Sequence, residues 1–142
     1  MKNFLIICVI AVGFTACEKD AGEGGTSVIE GQVYKIHTFQ NSSTGEMDTL
    51  YYQLDSGKDI FIIYSDNETG VYDDKFETDY NGRYHFEYLR KGDYTLYTYA
   101  DSTVDISSTI ELKYEYPIFK HIKINSNNSD NSVEDFVIEK NQ

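Results

Sequence analysis

The sequence predicts an all-β domain, a single sandwich of about seven antiparallel strands. Apolar and polar residues alternate with period two through most of the chain after residue 28, and that period places alternate side chains on the two faces of a strand. Clusters of Asn, Asp, Ser and Gly interrupt the pattern at short intervals, which is typical of tight turns. No stretch longer than about ten residues keeps the spacing of an amphipathic helix, so we expect almost no helix.

The first element is a predicted lipoprotein signal peptide at residues 1–16. It contains one lysine near its start and then an apolar run at residues 4–14. That run is too short to span a bilayer but suits the core of a signal peptide. The sequence FTAC at residues 14–17 matches a bacterial lipobox, whose cysteine receives lipid. We therefore expect an outer-membrane lipoprotein of a Gram-negative cell, anchored through Cys17 and facing either the periplasm or the cell surface.

The second element is a predicted tether. Residues 17–27 form the lipidated end and a polar, Gly-rich stretch without periodicity, which is typical of a flexible linker. Ten residues of such a coil reach ~16–19 Å, so the domain should lie close to the membrane. The sandwich domain is expected at residues 28–140.

Alternation marks the strands of this domain in order. The predicted strand segments are residues 29–33, 50–54, 60–64, 84–88, 94–97, 110–116, 118–124 and 136–138. The run IFIIY at residues 60–64 is continuously apolar, which favours a central strand. Turn signals separate the strands at residues 41–45, 55–57, 67–70, 81–82, 91–93 and 125–131.

Composition disfavours several classes of function. A net charge of −12 at pH 7 argues against binding to nucleic acid or to anionic lipid headgroups. The lipid must therefore hold the membrane without help from a basic patch. Cys8 lies in the signal peptide and Cys17 at the lipidation site, and the chain has no other cysteine. No disulfide, thiol nucleophile or thiolate metal site is expected, nor any cofactor.

Residues 78–96 carry a more specific pattern. They read TDYNGRYHFEYLRKGDYTL, which resembles the signature of carboxypeptidase regulatory-like domains, members of the transthyretin-like (prealbumin) fold. The matching positions are Thr78, Asp79, Gly82, Tyr84, Phe86, Leu89, Gly92, Tyr94 and Leu96. The resemblance implies a Greek-key, transthyretin-like sandwich, with residues 29–33 and 133–138 as its first and last strands. Residues 38–58 depart from the family pattern as a longer insertion, so strand order there stays open.

The same segment predicts a hairpin. Asn81-Gly82 is a turn sequence that favours positive φ. Tyr84 and Phe86 should point inward from one strand, and Tyr94 and Leu96 from its antiparallel partner. Leu89 should close the end of the sandwich, and Gly92 should permit a tight return.

Domains of this family are usually accessory or interaction modules without catalysis. The resemblance therefore implies a non-catalytic module that binds or assembles with an envelope protein or a glycan. The alternative is a hydrolase acting on glycan or peptide at the cell envelope, using outward carboxylates and His85. A glycosidase needs two carboxyls at a set separation in a cleft, and a small sandwich with short loops rarely forms one.

The candidate contact surface consists of four side chains predicted on the outer faces of neighbouring strands. They are His85, Glu87, Tyr97 and Tyr99. Flat aromatic rings stack on sugars and on partner side chains, although tyrosine also simply favours strands. As surface residues, both tyrosines should tolerate replacement at little cost in stability.

No metal site is expected. His37, His85 and His121 are not spaced as metal ligands. The sequence from Asp79 to Gly82 places its glycine too early for an EF-hand calcium loop, so a hairpin turn is the favoured interpretation. The acidic side chains in residues 66–74 are expected to be solvated.

Overall fold

The computed structural model describes residues 20–107 and 110–141. Within them the chain forms nine strands and no helix: β1 (Glu23–Gln40), β2 (Met47–Leu54), β3 (Asp59–Ile63), β4 (Asp74–Glu77), β5 (Arg83–Leu89), β6 (Gly92–Ser107), β7 (Ile110–Ile124), β8 (Asp130–Ser132) and β9 (Phe136–Asn141). Two sheets pack around one core, which confirms the predicted all-β sandwich. The predicted signal peptide and Cys17 lie outside the described residues.

The first sheet is built around β1. This strand pairs antiparallel with β2 and β5, and parallel with β8 and β9. Its length of 18 residues lets its two halves serve different partners, since Ile29 lies opposite Phe86 of β5 whereas Tyr34 lies opposite Leu54 of β2. The prediction of about seven antiparallel strands therefore needs two corrections. The described residues form nine strands, some of them short, and β1 pairs in parallel with β8 and β9.

The second sheet has the order β4-β3-β6-β7. β3 lies between two neighbours, as its apolar sequence predicts, and its inward side chains Ile60 and Ile62 are fully buried. β6 and β7 form a long hairpin whose register runs from Gly92 opposite Ile124 to Ser107 opposite Ile110.

Inward side chains of both sheets form the core. Its largest fully buried members are Tyr84, Tyr94, Phe136, Ile29, Ile60, Ile62, Leu89, Leu96, Ile124 and Val33. Aromatic residues each remove a large apolar area from water, so these three large rings supply much of the stabilisation of a domain without disulfides.

The predicted hairpin around residues 84–96 is wrong in its strand partner. β5 belongs to the first sheet and β6 to the second, so the chain crosses between sheets at residues 89–92. Leu89 is buried in this crossover, and Gly92 has a φ of 150°. The Tyr94 hydroxyl donates to the Arg90 carbonyl at 2.7 Å and accepts from the Gly22 amide at 2.9 Å. The predicted inward side chains are all buried, but they meet across the core instead of lying side by side.

The predicted tether is too long. β1 begins at Glu23, Ala21 packs against the core, and the Arg90 side chain donates to the Asp20 carbonyl at 3.0 Å. A Cβ atom at Gly25 would overlap the Leu89 carbonyl, so this glycine permits close contact between two backbones. Residues 20–27, which the sequence assigns to the tether, are therefore part of the folded domain.

The insertion at residues 38–58 extends the first sheet. The end of β1 and all of β2 form a hairpin, with a bulge between His37 and Thr38, and every residue of β2 is exposed. β1 and β6 start at the same end of the sandwich, because a Cβ atom at Gly92 would lie 2.6 Å from the Ala21 Cβ. The far ends of both long hairpins therefore lie away from residues 20–22.

Candidate functional site

The four predicted contact residues do not form one surface. Tyr97 and Tyr99 lie on β6 in the second sheet, whereas His85 and Glu87 lie on β5 in the first. The His85 ring contacts Phe76 with centroids 4.6 Å apart. The prediction that the two pairs are neighbours is wrong because it rested on pairing β5 with β6.

Tyr97 lies at the centre of a contiguous group of rings on the outward face of the second sheet. We call this group the aromatic face; its members are Phe61, Tyr72, Tyr97, Tyr99 and Phe119. The strand registers place Phe61 and Phe119 on either side of Tyr97. The Phe61 and Tyr97 rings stack at 4.9 Å and 18°, and Phe119 lies 5.4 Å from Tyr97. Three strands therefore contribute one row of rings.

Two tyrosines stand out from this row. The Tyr99 ring is nearly perpendicular to Tyr97, at 87° and 5.7 Å, and Tyr72 tilts against Phe61 at 54° and 4.9 Å. Tyr99 is 38% exposed and Tyr72 46%, whereas Tyr97 is only 9% exposed. Tyr97 does point outward, as the alternation predicts, but its neighbours cover it. Because Tyr97 is nearly buried, we expect its replacement to cost more stability than that of a surface residue.

The hydroxyl groups of these tyrosines lie near one another. Burial raises the pKa of Tyr97, and interactions with Tyr99 and Tyr72 raise that pKa further. The Tyr97 phenol thus stays protonated at neutral pH, and a tyrosine hydroxyl can both donate and accept a hydrogen bond. The aromatic face combines apolar rings with a small cluster of uncharged polar groups.

Charged side chains flank the rings as pairs. Lys75 and Asp59, on β4 and β3, lie 3.1 Å apart. His121 Nε2 on β7 lies 3.0 Å from Glu68 Oε1, which belongs to the loop between β3 and β4. Asp59 and Glu68 therefore each lie against a basic side chain at the edge of the aromatic face.

Sequence reasoning found two members of the aromatic face and missed three. Phe61 alternates with the buried Ile60 and Ile62, which is a signal that it points outward, but the register that sets it beside Tyr97 is not visible in the sequence. The register that places Phe119 beside Tyr97 is likewise not visible in the sequence. Tyr72 lies in an acidic loop, where no periodicity indicates the direction of a side chain.

The turn at residues 79–82 has the predicted structural role. The Asp79 carboxylate accepts hydrogen bonds from the amides of Asn81 and Arg83, both at 2.8 Å, which is an Asx-type turn.

The structure also bears on metal binding and on membrane spans. Among the described residues, no group of histidine, cysteine or acidic side chains is arranged to hold a metal ion. In that same part of the chain, no helix is long and apolar enough to cross a membrane.

Comparisons with known proteins identify no family. No protein-family model matches the chain, and no curated protein matches it either. Among solved structures, the crystal structure of a candidate carbohydrate binding protein from Pseudomonas aeruginosa is similar, with 14% sequence identity and a TM-score of 0.47. The match covers 84% of this chain and 92% of that one.

Proposed function

We propose that this protein is a non-catalytic, lipid-anchored β-sandwich module of the bacterial outer membrane that binds a neutral glycan through its aromatic face. The observation that carries the proposal is the aromatic face itself, five contacting rings on the outward side of a sheet. Contiguous apolar patches on a soluble domain usually mark an interaction site.

The chemistry of the face favours a sugar as its ligand. A pyranose ring presents C–H groups on its flat side and hydroxyls at its edge. The exposed rings of Tyr99 and Tyr72 offer surfaces for stacking, and the tyrosine hydroxyls beside them can bond to sugar hydroxyls. We call Phe61, Tyr97 and Phe119 the floor residues, because their row of rings supports the more exposed tyrosines. Strands hold Tyr99 and these floor residues in fixed positions, which reduces the entropy lost on binding. A chain with a net charge of −12 repels acidic polysaccharides, so the ligand is neutral.

The same geometry favours binding over catalysis. Two carboxylates beside the rings are paired with a basic group, Asp59 with Lys75 and Glu68 with His121. Glycoside hydrolysis needs two carboxyls placed on either side of a bound sugar, and that arrangement differs from two separate ion pairs. A hydrolase therefore ranks below a binding module.

We also propose that the domain is a distant member of the carboxypeptidase regulatory-like group with the transthyretin-like fold. In support, Gly82 has a φ of 67° in its turn, and the signature positions from Tyr84 to Leu96 that are expected inward are buried. β1 and β9, which correspond to the first and last strands of the resemblance, pair directly from Val33 opposite Phe136 to Thr38 opposite Asn141.

Binding is tested by removing the exposed rings. Tyr99→Ala and Tyr72→Ala are each expected to weaken binding of the best ligand among cellohexaose, maltohexaose and N-acetylchitohexaose by about tenfold, since one well-placed aromatic contact is worth about 1–2 kcal/mol. Isothermal titration calorimetry on the purified protein measures the loss. Tyr80→Ala is the matched control, because Tyr80 is 84% exposed and lies outside the aromatic face. Equal loss in all three variants, or none in any, would contradict the assignment; binding of an envelope protein instead of these sugars would replace the glycan as ligand.

Anchoring is tested at Cys17. Cys17→Ala is expected to abolish palmitate labelling and to release the protein from the outer-membrane fraction, because a domain with this net charge has no electrostatic attraction to anionic lipid. Cys8→Ala, within the apolar run of the signal peptide, is the control and should keep both properties. If the Cys17 variant still fractionates with the outer membrane, the lipid-anchor proposal is wrong.

A further inference from the structure

The long hairpin of β6 and β7 carries the core-facing side of the second sheet past the part that the first sheet covers. Alternation along β7 places three large side chains on the same face as the buried Ile124. They are Leu112, Tyr114 and Tyr116, and all three are exposed. Val104, which lies opposite Leu112 on β6, is exposed as well. The hairpin therefore presents an apolar stripe that the described part of the chain leaves uncovered.

The same segment of β7 lies at the edge of its sheet. The strand order is β4-β3-β6-β7, so one edge of the β7 backbone pairs with β6 and the other is turned away from the sheet. Amide and carbonyl groups along such an edge can pair with a further strand. Pro117 cannot donate to one, so it marks one end of the usable edge. Residues 112–116 therefore combine an open backbone edge with an apolar face.

Charges on the outward face of the hairpin indicate the chemistry of a suitable partner. Glu115 lies directly opposite Asp101 of β6, and like charges at opposite positions destabilise a strand pair. A positive side chain on the open edge of Glu115 would offset this repulsion. Lys113 of the same strand lies on that outward face too, because side chains two residues apart share a face.

The sequence of this edge is complementary to itself. Lys113 and Glu115 lie symmetrically about Tyr114. When two copies of β7 pair antiparallel with Tyr114 on the two-fold axis, each Lys113 lies opposite a Glu115. Each Leu112 then lies opposite a Tyr116, and the two Tyr114 side chains meet at the axis. Pairs of opposite charges and of large apolar side chains both stabilise antiparallel strands.

We propose that residues 112–116 form a dimerisation edge, along which a second copy of this chain pairs its own β7. The pairing joins two four-stranded sheets into one continuous sheet and places the two apolar stripes side by side. The contact is short, so the dimer is weak and reversible, as small interfaces are.

The joined sheet would carry both aromatic faces on its outward side. Phe119 follows Tyr114 by five residues, which sets the two Phe119 rings ~34 Å apart along the strands. A long polysaccharide can then contact both faces, and such double contact raises apparent affinity. This consequence rests on the proposed function, whereas the dimer does not.

Charge reversal tests the dimerisation edge. Sedimentation equilibrium of the full-length protein in a neutrally buoyant detergent should show a concentration-dependent dimer. Lys113→Glu and Glu115→Lys each place like charges opposite each other at two positions, so each should weaken dimerisation by about tenfold or more. An equimolar mixture of the two variants should recover the native affinity, because both charged pairs of the mixed dimer then join opposite charges. Lys91→Glu is the matched control, since Lys91 is exposed and lies outside this edge, and it should dimerise like the native protein.

Several results would overturn the dimer. One is a native protein that stays monomeric at about 1 mM, where even a weak dimer is populated. Others are a dimer that resists both reversals, a mixture that does not recover it, or equal weakening by Lys91→Glu. Circular dichroism verifies that each variant is folded. If the dimer forms as expected but no sugar binds, the glycan function fails and the dimer stands.

Discussion

Gly82→Ala is expected to lower the free energy of unfolding by about 2–4 kcal/mol. Gly82 has a φ of 67°, a conformation that costs any residue with a Cβ about 1–2 kcal/mol. The added Cβ would also lie 2.6 Å from the Val33 carbonyl oxygen. That oxygen accepts from the Asp55 amide at 3.1 Å, and the Gly82 carbonyl accepts from the Val33 amide at 2.8 Å. The substitution therefore strains the place where β1, β2 and β5 meet.

Gly45→Ala separates the two causes. Gly45 has a similar φ of 75°, but a Cβ there meets nothing within 4 Å. We expect this variant to lose only the conformational term, about 1 kcal/mol. Urea unfolding followed by circular dichroism measures both. If the two variants lose equal stability, the contact with Val33 contributes nothing, and the interpretation of this junction is wrong.

Alternation predicted the direction of side chains well and the partners of strands poorly. Tyr84, Phe86, Tyr94 and Leu96 were all expected inward and are all buried. Period two reports which face of a strand is apolar, and that is the same whether the next strand lies in the same sheet or across the core. The crossover depends on contacts such as the Tyr94 hydroxyl with the Gly22 amide, which join residues far apart in the sequence.

Composition was a poor guide at the N-terminal end of the domain. A run rich in glycine and polar residues is typical of a linker, and residues 20–27 nevertheless pack against the sandwich. Ser27 is fully buried, with its hydroxyl 3.0 Å from the Ser126 carbonyl. Glycine serves a flexible chain and a closely packed backbone equally well, so the sequence alone does not separate the two.

Alternation of apolar and polar residues also predicted part of the candidate site. Tyr99 and Tyr97 were placed on an outward face, which is where they lie. The rings that surround them come from β3, β7 and a loop, and their association is set by strand register. His85 and Glu87 were joined to them by an incorrect pairing.

The aromatic face connects stability with binding through Tyr97. Its ring lies between Phe61 and Phe119 and supports the more exposed Tyr99. A floor residue of this kind contributes to the fold by packing and to the site by positioning. Its two contributions are separable because the ring and the hydroxyl can be removed independently.

Tyr97→Ala is expected to lower the free energy of unfolding by about 3 kcal/mol, as truncation of a large, nearly buried ring does. Tyr97→Phe keeps the ring and should stay within about 1 kcal/mol of the native protein, but should weaken sugar binding through loss of its hydroxyl. Tyr99→Ala, at a site 38% exposed, should cost much less stability than Tyr97→Ala. Urea unfolding and calorimetric titration of each variant give the comparison. If Tyr97→Ala is as stable as Tyr99→Ala, then Tyr97 is not a floor residue, and the row of rings across β3, β6 and β7 does not form as described.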